Sequence, residues 1–148
     1  MMALGKASAY DPDGYWDYET GRPWTYHPAF DDKPIRALAS SSHVNRFFPA
    51  LEAFDKLIAT LPPSLPLVVV MPPQSSPMLP ESGTAAANEL AVCKSEIARR
   101  IQARSHGAFL DYLVDGPLAR EPQNFMDRDH YRLNIAHRLE AAIAQALQ

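Results

Sequence analysis

The sequence has little cysteine, no long apolar run and none of the spacings that mark a metal or nucleotide site. Its single cysteine, Cys93, excludes an internal disulfide and fits a reducing compartment. No stretch approaches the roughly 18 apolar residues of a membrane-spanning helix, so no membrane span is predicted. The first residues, Met1 to Lys6, lack the charged start and long apolar core of a signal peptide. These absences predict a cytoplasmic protein.

Positive charge is scarce as well. The chain carries 14 Lys and Arg against 17 Asp and Glu, a formal charge of -3, which argues against a nucleic-acid-binding surface. It contains no Gly-rich phosphate loop, no paired cysteines and no His-x-x-x-His, so neither a cofactor nor a metal is predicted. The rest of the composition is ordinary for a globular chain, and 148 residues suit one domain.

Residues 1–43 differ from the rest and are interpreted as an aromatic, Pro-rich N-terminal arm. A turn at Asp11-Pro12-Asp13-Gly14 precedes an aromatic stretch, Tyr15 to Tyr26, that is punctuated by proline. Aromatic side chains carry much of the packing area in irregular segments. The favoured interpretation is that the arm covers a sheet edge or a helix face, and the alternative is that its aromatic rings bind something flat.

Residues 44–148 read as alternating helices and strands. Apolar residues at helical spacing predict helices over 44–60, 84–104 and 132–147, the first regular only from Phe48 because Pro49 fits only a first turn. Apolar runs predict strands at 66–71, fully buried, and at 108–114. Thr84 is expected to cap the second helix and Gly107 to stop it. The order strand, helix, strand predicts adjacent parallel strands in an α/β fold.

The arginines of the second predicted helix and the apolar stripe of the first each predict a structural role. Arg99, Arg100 and Arg104 gather at the C-terminal end of the second helix and are expected to be a solvated helix end that suits the dipole. In the first helix, Leu51, Leu57 and other apolar residues fall on one stripe that is expected to face the core.

Asp127 and His130 are the candidate catalytic residues. A carboxylate three residues before an imidazole can be held in one turn, where it fixes the tautomer of the histidine and makes it a general base. Asp129 also flanks the histidine and is an alternative partner. The structural alternative is that Asp127 only caps a turn and that His130 is an ordinary surface histidine.

Around this pair, Asn124-Phe125-Met126-Asp127-Arg128-Asp129-His130-Tyr131-Arg132 and the helix that follows resemble the last conserved block of the SGNH (GDSL-like) hydrolase superfamily. The His-Tyr-Arg form is most similar to the bacterial branch related to D-alanyl-lipoteichoic-acid and alginate O-acetylation proteins. Leu67-Val68-Val69-Val70-Met71-Pro72-Pro73 is similar to a late core strand of that fold. The resemblance covers roughly residues 44–148 and implies the C-terminal half of a three-layer, flavodoxin-like fold with a short parallel sheet.

The resemblance implies ester hydrolysis or acyl transfer on a small acylated substrate, with Asp127 as the acid and His130 as the base of a triad. The family's nucleophile lies in a Gly-Asp-Ser block, which this sequence lacks. The chain is therefore expected to be inactive alone, as a truncated or degenerate relative. Family relatives are often exported, in contrast to the cytoplasmic location predicted above.

Several serines are weaker candidates for the missing nucleophile: Ser40, Ser41, Ser42, Ser75 and Ser76. None of them has the expected strand-to-helix elbow. Gln74 and Ser75, in the loop after the first strand, are candidates for polar contacts, although a plain connecting loop is favoured. The alternative function is a small non-catalytic binding or assembly module, which would form a homo-oligomer through an exposed sheet edge.

Overall fold

The computed structural model describes residues 48–127 and 129–148, so the arm at 1–43, with Ser40, Ser41 and Ser42, lies outside the described residues. The helices and strands of this part are, in order, α1 Pro49–Thr60, β1 Leu67–Met71, α2 Ala85–Gln102, β2 Gly107–Asp111, α3 Pro117–Arg120 and α4 Leu133–Ala146. Short 3-10 turns at Ser76–Met78 and Pro122–Asn124 complete it. The protein is a mixed α/β chain, as predicted.

Two of the three long helices in the described residues begin where a sequence signal marks their start. Pro49 stands in the first turn of α1, where its missing N–H leaves no helical hydrogen bond unmade. Thr84 caps α2 by accepting a hydrogen bond from the Ala87 N–H at 3.2 Å. The predicted helices at 84–104 and 132–147 are confirmed with ends shifted by one or two residues.

The two strands form a parallel sheet in which Leu67 lies opposite Gly107 and Met71 opposite Asp111. The predicted parallel pairing is confirmed. Helix α2 connects the strands and packs mainly on β2, and α4 also contacts β2. Because the strands are parallel, both carboxyl ends leave the sheet at the same edge, and the loops that follow them meet there.

The second strand is shorter than the predicted 108–114, because the Asp111 side chain ends it. Oδ1 of Asp111 accepts a hydrogen bond from the Leu113 N–H at 3.1 Å, so this N–H bonds a side chain instead of a neighbouring strand. Oδ2 lies 3.0 Å from Nζ of Lys94, which also donates to the Leu113 carbonyl. A side chain of α2 thus fixes the exit of β2.

The prediction that the first strand is fully buried is wrong. All five residues of β1 are only half-buried, and so are those of β2. Within the described part of the chain β1 pairs with β2 alone, so its other edge has no neighbouring strand. The buried hydrophobic side chains lie on the helices and in the loop before α4: Leu51, Ile101, Ala119, Phe125, Ile135 and Leu139. Leu57, expected on the core stripe of α1, is 58% exposed.

Gly107 does not act as a helix stop. It is the first residue of β2, and a Cβ atom at this position would overlap the backbone carbonyl oxygen of Ile101, near the end of α2. Since backbone atoms cannot easily move aside, the close approach of α2 to β2 requires glycine here.

The arginines near the end of α2 are not simply a solvated helix end. Arg100 is 17% exposed and binds Asp55 of α1 at 2.6 Å and Glu96 at 2.6 Å. Arg104 donates to the carbonyl oxygens of Pro62 and Leu65, in the loop after α1. These two side chains therefore fasten α1 and its following loop to α2.

Candidate functional site

The candidate site is a short loop that precedes α4. Phe125 and Tyr131 form an antiparallel bridge at its base, and the Met126 N–H donates to the His130 carbonyl at 2.8 Å. Phe125 is 2% exposed and anchors the loop in the core. Asn124 adds a second anchor, because its Nδ2 donates to the Leu118 carbonyl at 3.0 Å. The bridge thus closes the loop at its base, and Asn124 and Phe125 anchor its N-terminal side.

Asp127 organises the interior of this loop. Its Oδ1 accepts hydrogen bonds from the backbone N–H groups of Asp129 and His130, both at 2.8 Å. An Asp side chain that bonds the backbone two and three residues ahead stabilises a tight turn. The turn-capping role considered as the structural alternative is therefore present.

The same carboxylate contacts the imidazole. Nδ1 of His130 lies 2.7 Å from Oδ2 and 2.9 Å from Oδ1 of Asp127. Asp127 rather than Asp129 is the carboxylate in contact with the ring. Because an ionised carboxylate only accepts, this contact favours the tautomer with its proton on Nδ1 and leaves the lone pair of Nε2 free to accept a proton.

The two side chains differ in exposure. The side chain of Asp127 is 33% exposed and that of His130 is 74% exposed. Partial burial alone would raise the pKa of Asp127, but the hydrogen bonds from the backbone of Asp129 and His130, followed by that from the imidazole, outweigh it and lower the pKa below its usual value. The pair is an ionised carboxylate holding a largely solvent-facing imidazole.

The loop lies beside the carboxyl end of the sheet. Nε2 of Gln74, three residues after the last residue of β1, donates to Oδ1 of Asp129 at 3.4 Å. The interpretation of the 72–77 segment as a plain connecting loop is thus incomplete, because Gln74 makes one of the two polar contacts expected of that segment. The contact brings the His–Asp loop next to the end of β1, where ligands bind in open α/β sheets.

A second polar cluster joins the exits of the two strands. Asp115 accepts a hydrogen bond from Oγ of Ser76 at 2.9 Å and binds the guanidinium of Arg120, with both contacts at 2.9 Å. The Arg120 guanidinium, and next the Ser76 hydroxyl, lower the pKa of Asp115 to about 2. No local sequence pattern predicts this cluster, because its partners are up to 39 residues apart.

This cluster bears on the candidate nucleophiles. Ser76 donates its hydroxyl to Asp115 and thereby ties the loop after β1 to the loop after β2. A hydroxyl that already donates to a carboxylate cannot donate to an imidazole at the same time. Ser76 is therefore a structural residue in this conformation.

Metal sites and membrane-spanning helices were also considered for the described ranges, 48–127 and 129–148. No group of three or more His, Cys, Asp or Glu side chains there is placed to hold a metal ion. None of the helices in these ranges is long and apolar enough to cross a bilayer.

Comparisons of the chain with protein-family models, curated proteins and solved structures found no match.

Proposed function

We propose that this chain carries the base half of an ester-hydrolysing or acyl-transferring site of the SGNH type and lacks its own nucleophile. The observation that carries the proposal is the contact of 2.7 Å between Nδ1 of His130 and Oδ2 of Asp127, in a loop beside the carboxyl end of a parallel sheet. The flavodoxin-like arrangement of the family, with further strands beyond β1, belongs to the same proposal.

In this mechanism Asp127 holds the imidazole in the orientation and tautomer that leave Nε2 free. Nε2 of His130 removes the proton of a hydroxyl while the hydroxyl oxygen attacks the acyl carbonyl of a small ester. The protonated imidazole then returns the proton to the departing alkoxide. Asp127 stabilises the imidazolium between these steps and stays ionised, as its lowered pKa permits.

The sequence has no Gly-Asp-Ser, so the chain lacks the block that supplies the nucleophilic serine hydroxyl in the family. A histidine without a positioned hydroxyl has nothing to activate for covalent acyl transfer. Loss of one triad member typically leaves only residual catalysis from binding and oxyanion contacts. We therefore infer that the isolated chain has little or no esterase activity.

Hydrolysis of p-nitrophenyl acetate tests this inference. The wild type and the matched control His106→Ala, an exposed histidine next to the first residue of β2, should release p-nitrophenol slowly, and His130→Ala should lower that rate by less than the roughly 10²-fold that a positioned general base contributes. A cooperative thermal melt of each variant establishes that it is folded. Rapid turnover that only His130→Ala abolishes would contradict an incomplete site and point to Ser40, Ser41, Ser42, Ser75, Ser76 or a second subunit as the source of the hydroxyl.

A non-catalytic binding or assembly module is the second candidate, and one observation favours it. Within the described residues, the free edge of β1 leaves backbone N–H and C=O groups available for pairing, and the half-buried strands leave apolar side chains accessible. Free strand edges pair readily with other chains. In that case Asp127 is a turn cap, and substitution of His130 changes neither ester chemistry nor assembly.

A further inference from the structure

Two cavities lie against α1. An apolar groove of about 440 Å³ lies between α1, β1 and α2, and its walls include Phe54 of α1 and Cys93 of α2. A cleft of about 370 Å³ lies between α1 and α2 and is lined mainly by charged side chains. Leu51 lines both the groove and the cleft. Open space therefore adjoins α1 on either side of this residue.

Apolar packing holds α1 only weakly. Leu51 is the one residue of this helix that is buried, and Leu57 is mostly exposed. Among the described elements, α2 packs closely on both strands, whereas α1 makes no comparably extensive approach to the strands or to α2. A segment with few buried apolar contacts opens at a lower cost in free energy than the core does.

A charged clamp holds α1 instead. The largely buried guanidinium of Arg100 binds both carboxylate oxygens of Asp55, with Nε 2.6 Å from Oδ1 and Nη2 3.2 Å from Oδ2. Glu96, on the same helix as Arg100, accepts from Nη1 at 2.6 Å and fixes the guanidinium from the side of α2. Two-pronged pairs of this kind are stronger and more directional than single hydrogen bonds. The clamp thus joins α1 to α2 across the cleft.

We propose that α1 is a movable wall of the apolar groove, held closed by the clamp of Arg100 on Asp55 and able to open while α2 and the sheet stay folded. The loop at 61–66 is the hinge, because Arg104 of the segment after α2 donates to the carbonyl oxygens of Pro62 and Leu65 and holds this loop in place. Opening removes one wall of the groove and uncovers Cys93. The proposal does not depend on the chemistry of His130.

Hydrogen exchange of the full chain, followed by mass spectrometry, measures the opening directly. In the wild type, the amides of α1 should exchange faster than those of α2, β1 and β2. Arg100→Met should raise the exchange rate of α1 at least about fivefold, because hydrogen bonds to charged partners are among the stronger ones. The amides of β1 and β2 should change less than about twofold, since the sheet stays folded in the open state.

Cys93 reports on the groove itself. It is the only cysteine of the chain, and its side chain lines the groove and is half-buried. When closing is faster than alkylation, the reaction rate of a shielded thiol follows the population of the open state. Alkylation of Cys93 by iodoacetamide, an uncharged reagent, should therefore rise in Arg100→Met by the same factor as the exchange of α1.

Arg99→Met is the matched control. Arg99 is the neighbouring arginine of α2, is mostly exposed and binds Glu96 but not α1, so its loss should leave both rates unchanged within about twofold. Asp55→Asn breaks the clamp from the other side at a half-exposed position, and it replaces Arg100→Met if that variant does not fold. Exchange of α1 and α2 at one common rate in the wild type would overturn the proposal. Equal alkylation rates in the clamp variant and Arg99→Met would overturn it as well.

Discussion

Nδ1 of His130 lies 2.7 Å from Oδ2 of Asp127, while the backbone N–H of the same histidine donates to Oδ1 of that carboxylate at 2.8 Å. One aspartate thus fixes both the backbone and the ring of one histidine. The turn positions the imidazole before any substrate arrives, so the orientation of the base depends on one local loop rather than on distant packing.

The first prediction concerns the tautomer of His130. When the imidazole is neutral, the ring should carry its proton on Nδ1 in the wild type, because ionised Asp127 only accepts. Asp127→Asn keeps an oxygen for the turn but removes the charge, so the population with the proton on Nε2 should rise. Long-range ¹⁵N–¹H NMR correlations measure the ratio, with His106 as an internal control. An unchanged ratio for His130 would show that Asp127 does not set the tautomer.

The second prediction concerns acid stability. The pKa of Asp115 in the folded chain is about 2, below its ordinary value of 3.8, so its stabilising contribution is complete above about pH 4 and is lost as the pH falls toward 2. Asp115→Asn should therefore be less stable than the wild type at neutral pH and should converge with it near pH 2. Urea unfolding across this range measures the difference. A difference that stays constant from neutral pH to pH 2 would contradict the assignment.

The third prediction concerns the contact between α2 and β2. Gly107→Ala would bring a Cβ atom into the backbone oxygen of Ile101, and relief requires a shift of the helix or the strand. Overpacking of this kind typically costs about 1–3 kcal/mol of unfolding free energy. Gly116→Ala is the matched control, because nothing lies within 4 Å of its added Cβ, and it should cost less than about 1 kcal/mol. Equal losses in chemical denaturation would refute the close approach at Gly107.

Local patterns predicted the elements and the His–Asp contact well, because the physics involved is local. Pro49 and Thr84 mark helix starts through their own backbone chemistry, and Asp127 reaches His130 across a single turn. The contacts that sequence reasoning missed join residues far apart in the chain. Arg100 with Asp55 depends on how α1 packs against α2, which no short pattern encodes.

The errors in burial have a related cause. The apolar run of β1 predicted a fully buried strand. Such a run shows that a strand is compatible with burial on both faces, but it does not determine how many elements pack around the strand. Only the pairing reveals that one edge of β1 has no partner strand within the described residues. Likewise Gly107 follows a helix in sequence, but its requirement for glycine arises from the approach of Ile101 and not from a helix stop.

The most direct test of the central claim supplies the missing hydroxyl from outside. Transfer of acetyl from p-nitrophenyl acetate to added trifluoroethanol should be accelerated by the wild type and by His106→Ala, because a free Nε2 can take the alcohol proton. The gain should stay below the roughly 10²-fold of a positioned general base, since the alcohol is not held in place. His130→Ala should remove this alcohol-dependent acceleration and Asp127→Asn should reduce it. An equal alcohol-dependent rate in the wild type and His130→Ala would contradict the assignment of His130 as the base.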